Sequence, residues 1–416
     1  MNVRGGGLLL GLAFALIGST SLAGAARAET IEMSTWQAEE GGFGVFWKES
    51  IAAFEQAHPD IDINVVQIPY GEYINQLTIR FASGRAPQLI ELPSEFMGIF
   101  ASQNWFAPLD ERLAGTPIDS EWAAVQSEMK WDGKTVGSLV MGGAYVLFYN
   151  EALLAEKGVK LPTSYEEFLA SIPKLTDREK GIFGLSSVTA QHPTVALDIM
   201  RTLHWSGVKL IDGNEYKLTS PEAVAALQQY RDIRKANSAL GADSSMSRQL
   251  FIDGKSAFMI DGPWVYSSVG EAAPEVRDNL KIMQTPFRVA VGGAVNSMHI
   301  ASTATPEQQD AAWEYVKFIS TKEWQQRWAE LTVSPPAMQG IVTPDLIAKQ
   351  PMLEEISKAR ADVVSAWPDN QGIRSNLNEF RSILTNAGLR LLSTEEPAEA
   401  IAQETQAELE RAFPLK

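Results

Sequence analysis

The segment from Thr30 to Leu92 constrains the fold more than any other part of the chain. Thr30 to Trp36 alternates as a first strand, and Gly41-Gly42-Phe43-Gly44 then opens a helix whose apolar face is Phe46, Trp47, Ile51, Ala52 and Phe54. Pro59 stops that helix, and Ile61, Ile63 and Val65 alternate as a second strand. A helix from about Gly71 to Ser83 leads to a third, buried strand at Leu89 to Leu92. A β-α-β-α-β beginning calls for an α/β fold on a mainly parallel sheet with right-handed crossovers.

The 416 residues exceed what one hydrophobic core usually spans, so two domains are expected. Helices are predicted over Phe96 to Asn104 and Trp122 to Met129, after which Val136 to Tyr149 runs without charge, as a strand does when it passes between two lobes. The first crossing is placed near Leu139 to Gly142. The second lobe is then read as a helix from Ser164 to Ile172, a strand from Gly181 to Leu185, helices from Val195 to Ser206 and Pro221 to Ala236, and the unit Leu250 to Trp264. Met283 to Gly293 is the return crossing, Pro306 to Leu331 a helix of the first lobe, and Val333-Ser334-Pro335-Pro336 a third crossing. Pro344 onward is helical, with segments at Leu377 to Leu392 and Pro397 to Ala412. The first lobe is thus residues 29–139 and 290–333, the second 140–289 and 334–416. Three crossings make a hinge of several strands, suited to closure around a ligand.

Residues 1–28 read as a cleavable secretory signal peptide: Arg4, an apolar run from Leu8 to Ile17, and Ala26-Arg27-Ala28 before Glu29. The run of about ten apolar residues is half of the roughly twenty that a bilayer requires. With no cysteine there is neither a disulfide nor a lipidated amino-terminal cysteine, which points to a protein free in the periplasm of a Gram-negative cell. Acidic residues number 51 against 35 basic, a net charge of −16 that repels nucleic acid and anionic lipid.

Catalytic signatures are missing. The four histidines, His58, His192, His204 and His299, have no metal-binding spacing, so neither a metal nor a cofactor is expected. Gly254-Lys255-Ser256 lacks the glycine that a phosphate loop needs five positions earlier, where Gln249 stands. There is no G-x-S-x-G and no thiol nucleophile. Neighbouring acids such as Asp60 and Asp62 do not establish the facing carboxylates of a glycosidase, so no enzyme is expected.

The stretch Leu250 to Trp264 combines a turn at Asp253-Gly254, an apolar strand from Ser256 to Ile260, and Asp261-Gly262-Pro263-Trp264. Gly262-Pro263 should start a helix where the strand stops, leaving Trp264 either at the rim of the sheet or in the core, and Asp261 either at the site or as a cap. This stretch resembles the family 1 extracellular solute-binding proteins of bacterial ABC importers, the maltose-binding-protein-like group. Further matching stretches are Trp131-Asp132-Gly133-Lys134 leading to Tyr145-Val146-Leu147-Phe148-Tyr149-Asn150, Pro162 to Phe168, and Ala82-Ser83-Gly84-Arg85-Ala86-Pro87.

The resemblance implies a periplasmic-binding-protein type II fold, two α/β lobes with the ligand cleft between them. It further implies capture of a mono- or oligosaccharide by a monomer, with Trp264 stacked on sugar and an inner-membrane permease as partner. Read from the residues, Trp36 and Glu40 form a candidate site pair at the end of the first strand, or else a core indole and a solvated acid. Glu91 and Glu95 flank the turn where the family often has a ligand-contacting acid. Gly143, Tyr145 and Gly293 sit beside the hinge, where a missing side chain admits ligand to the backbone. His192 stands where maltose-binding relatives place a contacting acid, a departure that counts against a maltose-like ligand. Arg374, where the family often carries a cleft aromatic, offers a guanidinium to hydroxyls or to an anion. The alternatives are an anionic sugar derivative, a glycerol phosphodiester or a polyamine, and, from another class, a secreted carbohydrate-active enzyme.

Overall fold

The computed structural model describes residues 29–270, 272–358 and 363–415; the expected signal peptide lies outside them. Two sheets organise the chain. In the first, the order is Val363–Ser365, Ala290–Ile300, Leu89–Pro93, Glu29–Thr35, Ile61–Gln67, with Ser138–Ala144 also paired to Ala290–Ile300. In the second it is Leu280–Gln284, Val146–Asn150, Ser256–Asp261, Phe183–Ser186. The three opening strands are parallel, as the β-α-β-α-β pattern requires. The first sheet is parallel in three of its five pairings, with Ala290–Ile300 antiparallel to Leu89–Pro93 and Ser138–Ala144; the second is mainly antiparallel, Val146–Asn150 running against both neighbours. A chain that leaves one lobe and returns lays its returning strand beside the outgoing one, which sets antiparallel pairs into both sheets.

Only Tyr145 separates the first-sheet strand Ser138–Ala144 from the second-sheet strand Val146–Asn150. The return lies between Gln284 and Ala290. Beyond the helix Lys322–Thr332, Val333 takes a left-handed φ of 49°, and Pro336 bridges to Met141. The segment 334–416, expected wholly in the second lobe, sends Val363–Ser365 back to the edge of the first sheet. Three residues are too few to show a strand period. The long helix expected from Pro306 is two, Pro306–Ile319 and Lys322–Thr332, because the Ser320-Thr321 step turns the chain. The helix expected over Trp122 to Met129 is a 3-10 segment, Ala124–Met129.

Aromatic packing sets the first lobe. Phe46, Trp47 and Trp328 meet edge to face at 5.0–6.0 Å, joining the helix Gly41–Ala57 to Lys322–Thr332. That approach needs a glycine: a Cβ on Gly42 would lie 1.9 Å from the Leu331 carbonyl oxygen. Gly42→Ala is expected to destabilise the fold by ~2–3 kcal/mol through overpacking. Chemical denaturation checks this against Gly71→Ala, where the space is open. In the second lobe, Phe168, Trp205, Phe258 and Phe287 form the corresponding cluster under the sheet. No helix among the described residues is long and apolar enough to cross a membrane.

Candidate binding cleft

A cavity of about 1630 Å³ opens between the two sheets, walled by the ends of strands from both. Its centre is the turn after Ser256–Asp261. Pro263 begins a short 3-10 helix, and Trp264 folds back so that a Cβ on Gly262 would meet its ring atoms at 2.0 Å. Glycine at 262 is therefore what lets the indole lie across the turn, lining the cavity while its edge meets Tyr145 at 5.9 Å between centroids. Trp264 also packs against the cores of both lobes, so it is half wall and half core. Asp261 lies beside it and is held by Arg248, Nε to Oδ2 at 2.8 Å and Nη2 to Oδ1 at 3.3 Å; Asp261 Oδ1 also accepts from the Gly262 N–H at 2.7 Å. The paired groups keep free lone pairs and N–H bonds for a ligand.

Tyr145, at the crossing, lines the cavity with its ring 4.6 Å from the Arg201 guanidinium, and burial pushes its hydroxyl pKa up. Trp36 is 5% exposed, wedged edge-on between Tyr70 and Tyr73, and only part of it reaches the cavity. Glu40 precedes the helix Gly41–Ala57 without capping it and lines the cavity; burial raises its pKa, and the charge of Arg248 pulls it down. His192 lines the opposite wall. Its Nδ1 accepts from the Thr194 backbone N–H at 3.2 Å, which leaves the ring proton on Nε2, and burial lowers its pKa, aided by Arg381 and Arg248. Gly143 lines the cavity against Pro335.

Four of the expected site residues stand differently. Glu91 lies behind the wall, 0% exposed: both oxygens accept, one from the Thr35 hydroxyl and one from Asn296 Nδ2 at 3.1 Å. Asn296 lines the cavity, so Glu91 acts as its support. Gly293 is also set back, facing the Glu128 carboxylate, and its neighbour Gly292 reaches the cavity instead. Glu95 lines the cavity but is clasped by the other side, its oxygens accepting from Trp367 Nε1 at 2.9 Å and Arg381 Nη1 at 2.7 Å. Arg374 is similarly engaged, by the Glu128 carbonyl at 3.0 Å and Asp369 at 3.3 Å, over the Trp131 ring.

Sequence reasoning missed Arg248, Asp198, Arg201, Tyr70, Trp367 and Arg381, all on the cavity wall. One signal was present: Asp198 and Arg201, at i and i+3, interrupt an otherwise apolar helix, which marks buried charge. His299 is 0% exposed, its Nδ1–H donating to Val136 O at 2.7 Å and its Nε2 accepting from the Ser297 hydroxyl at 2.8 Å, with burial pushing its pKa down to about 4. Among the described residues no group of side chains is placed to hold a metal ion.

A cleft between two α/β lobes joined by several strand crossings defines a type II periplasmic-binding-protein fold. The chain belongs to the bacterial extracellular solute-binding protein family, whose model matches residues 37–326. It is similar to the galactooligosaccharide-binding protein of Bacillus subtilis, 25% identical over 76% of this chain and 75% of that protein. Among solved structures it superposes on maltose-bound MalE3 of T. maritima with a TM-score of 0.81 at 21% identity, covering 93% of this chain and all of that one. UgpB of Mycobacterium tuberculosis in complex with glycerophosphocholine gives 0.78 at 15%, over 93% and 98%.

Proposed function

We propose that this protein captures a carbohydrate between its lobes and delivers it, unaltered, to the transmembrane subunits of an ABC importer. The observation that carries the reading is the Trp264 turn, where an indole face and the Asp261–Arg248 pair sit side by side on the cavity wall. A sugar ring presents an apolar C–H face and a rim of hydroxyls that both donate and accept, and these two surfaces answer them. The relatives named for galactooligosaccharide and maltose agree with this reading.

Size favours an oligosaccharide. A volume of about 1630 Å³ exceeds the ~300–1,000 Å³ typical of a site for one drug-sized ligand. Closure would bring residues 29–144 and 290–333, with the edge strand Val363–Ser365, toward the remainder about the crossings at Tyr145, 285–289 and 333–336 and about the ends of that strand. The protein works as a monomer in the periplasm after loss of residues 1–28. In this reading the sugar leaves unhydrolysed: the family is one of solute-binding proteins, and Glu95, Asp198 and Asp261 on the cavity wall are each engaged by arginine.

Calorimetric titration with a panel of mono- and oligosaccharides tests the proposal. Saturable binding of at least one sugar, recovered chemically unchanged, is expected. Heat from none of them would refute it.

A further inference from the structure

The second-lobe floor of the cavity holds more positive than negative charge. Asp198 is faced by two guanidinium groups: Arg201 Nη2 donates to Oδ1, and Arg234 Nη2 lies 3.4 Å from Oδ2. The Ser187 hydroxyl also donates to Oδ2, at 3.0 Å. The side chains are 3% exposed for Arg201, 10% for Arg234 and 7% for Asp198, so two cations and one anion are buried together. Nearby acids do not make up the difference. Asp261 is paired with Arg248, and Glu95 with Arg381.

Arg234 is otherwise satisfied, its Nε donating to Ser187 Oγ at 3.0 Å and its guanidinium stacked 4.0 Å from the Tyr230 ring. Arg201 is not. Its Nε and Nη1 have no hydrogen-bond partner among the described residues, although Tyr145 covers one face of the group. A buried guanidinium with unmet donors is costly unless something supplies acceptors and charge. Asp198, Arg201 and Arg234 all line the cavity, so a bound ligand is placed to supply both.

We propose that this cluster receives a carboxylate of the ligand, making the cargo an acidic oligosaccharide that contains a uronic acid. This rests on the carbohydrate reading above. The carboxylate would accept from Arg201, neutralise the excess charge and lie against the Tyr145 side of the floor.

The test is calorimetric titration of the full chain with uronate-containing di- to tetrasaccharides, each as the free acid and as its methyl ester, beside neutral oligosaccharides, inorganic phosphate and glycerophosphocholine. A free acid is expected to bind at least ~10-fold more tightly than its ester, in line with one charge-assisted hydrogen bond. Arg201→Gln, in which Arg234 still pairs Asp198, should abolish that preference, and Arg201→Lys should recover part of it. Equal binding of acid and ester, or a neutral sugar bound as tightly as any acid, overturns the inference and leaves the carbohydrate reading standing. Preference for phosphate or the phosphodiester overturns the choice of carboxylate. Binding of no sugar at all refutes the carbohydrate reading itself.

Discussion

Trp264→Ala is expected to weaken carbohydrate binding by ~30–100-fold, the ~2–3 kcal/mol that a buried aromatic anchor contributes at an interface. The same change removes contacts with the cores of both lobes, so a loss of stability is expected alongside. Gly262→Ala separates the two effects. It keeps the indole but places a methyl group where the ring now lies, 2.0 Å from its atoms, and so forces the ring off the turn. If stacking governs affinity, Gly262→Ala should also lose most of the binding, with a smaller drop in melting temperature than Trp264→Ala. Calorimetry on both variants, with thermal melts, gives the comparison. Undiminished affinity in Trp264→Ala would assign the indole to packing alone.

The strand that carries this turn was legible because Ser256 to Ile260 is short, largely apolar and bounded by Asp253-Gly254 and Gly262-Pro263, all local signals; the observed strand runs one residue further, to Asp261. The same holds for the opening βαβαβ unit and for the capped helices at Ser220 and Thr305. What stayed hidden was non-local. Arg248 faces Asp261 from the preceding helix, and Arg381 reaches Glu95 across 286 residues of chain; no spacing rule joins such pairs. Trp36 follows the end of Glu29–Thr35, but Glu91 is the middle residue of Leu89–Pro93, and neither side chain opens fully to the cavity. Glu91 points into the first lobe behind Asn296, and Trp36 is pinned between two tyrosines. Position in sequence gave the rim of the sheet, and packing decided which side chains cross it.

Glu91 also makes the stability of the first lobe depend on pH. Burial raises its pKa from 4.5 to about 8, and the charge of Glu40 adds to the rise, against hydrogen bonds from Thr35 and Asn296 that favour the carboxylate. The folded pKa stands above the unfolded one, so the folded chain binds the proton more tightly. Its contribution is therefore fully present below about 4.5 and is lost as pH rises through about 8. Between pH 5 and pH 9 the wild-type chain should lose ~4 kcal/mol of stability from this group, relative to a variant that does not titrate there. Glu91→Gln is that variant. Its amide can donate to the Thr35 hydroxyl, which also accepts from the Gln37 N–H at 2.9 Å, while its carbonyl still accepts from Asn296. Urea unfolding of both chains at pH 5 and pH 9 should show them close at the lower pH and Glu91→Gln the more stable at the higher. Parallel pH dependence in the two chains would mean that Glu91 ionises within the fold at no cost, and that the bonds from Thr35 and Asn296 outweigh its burial.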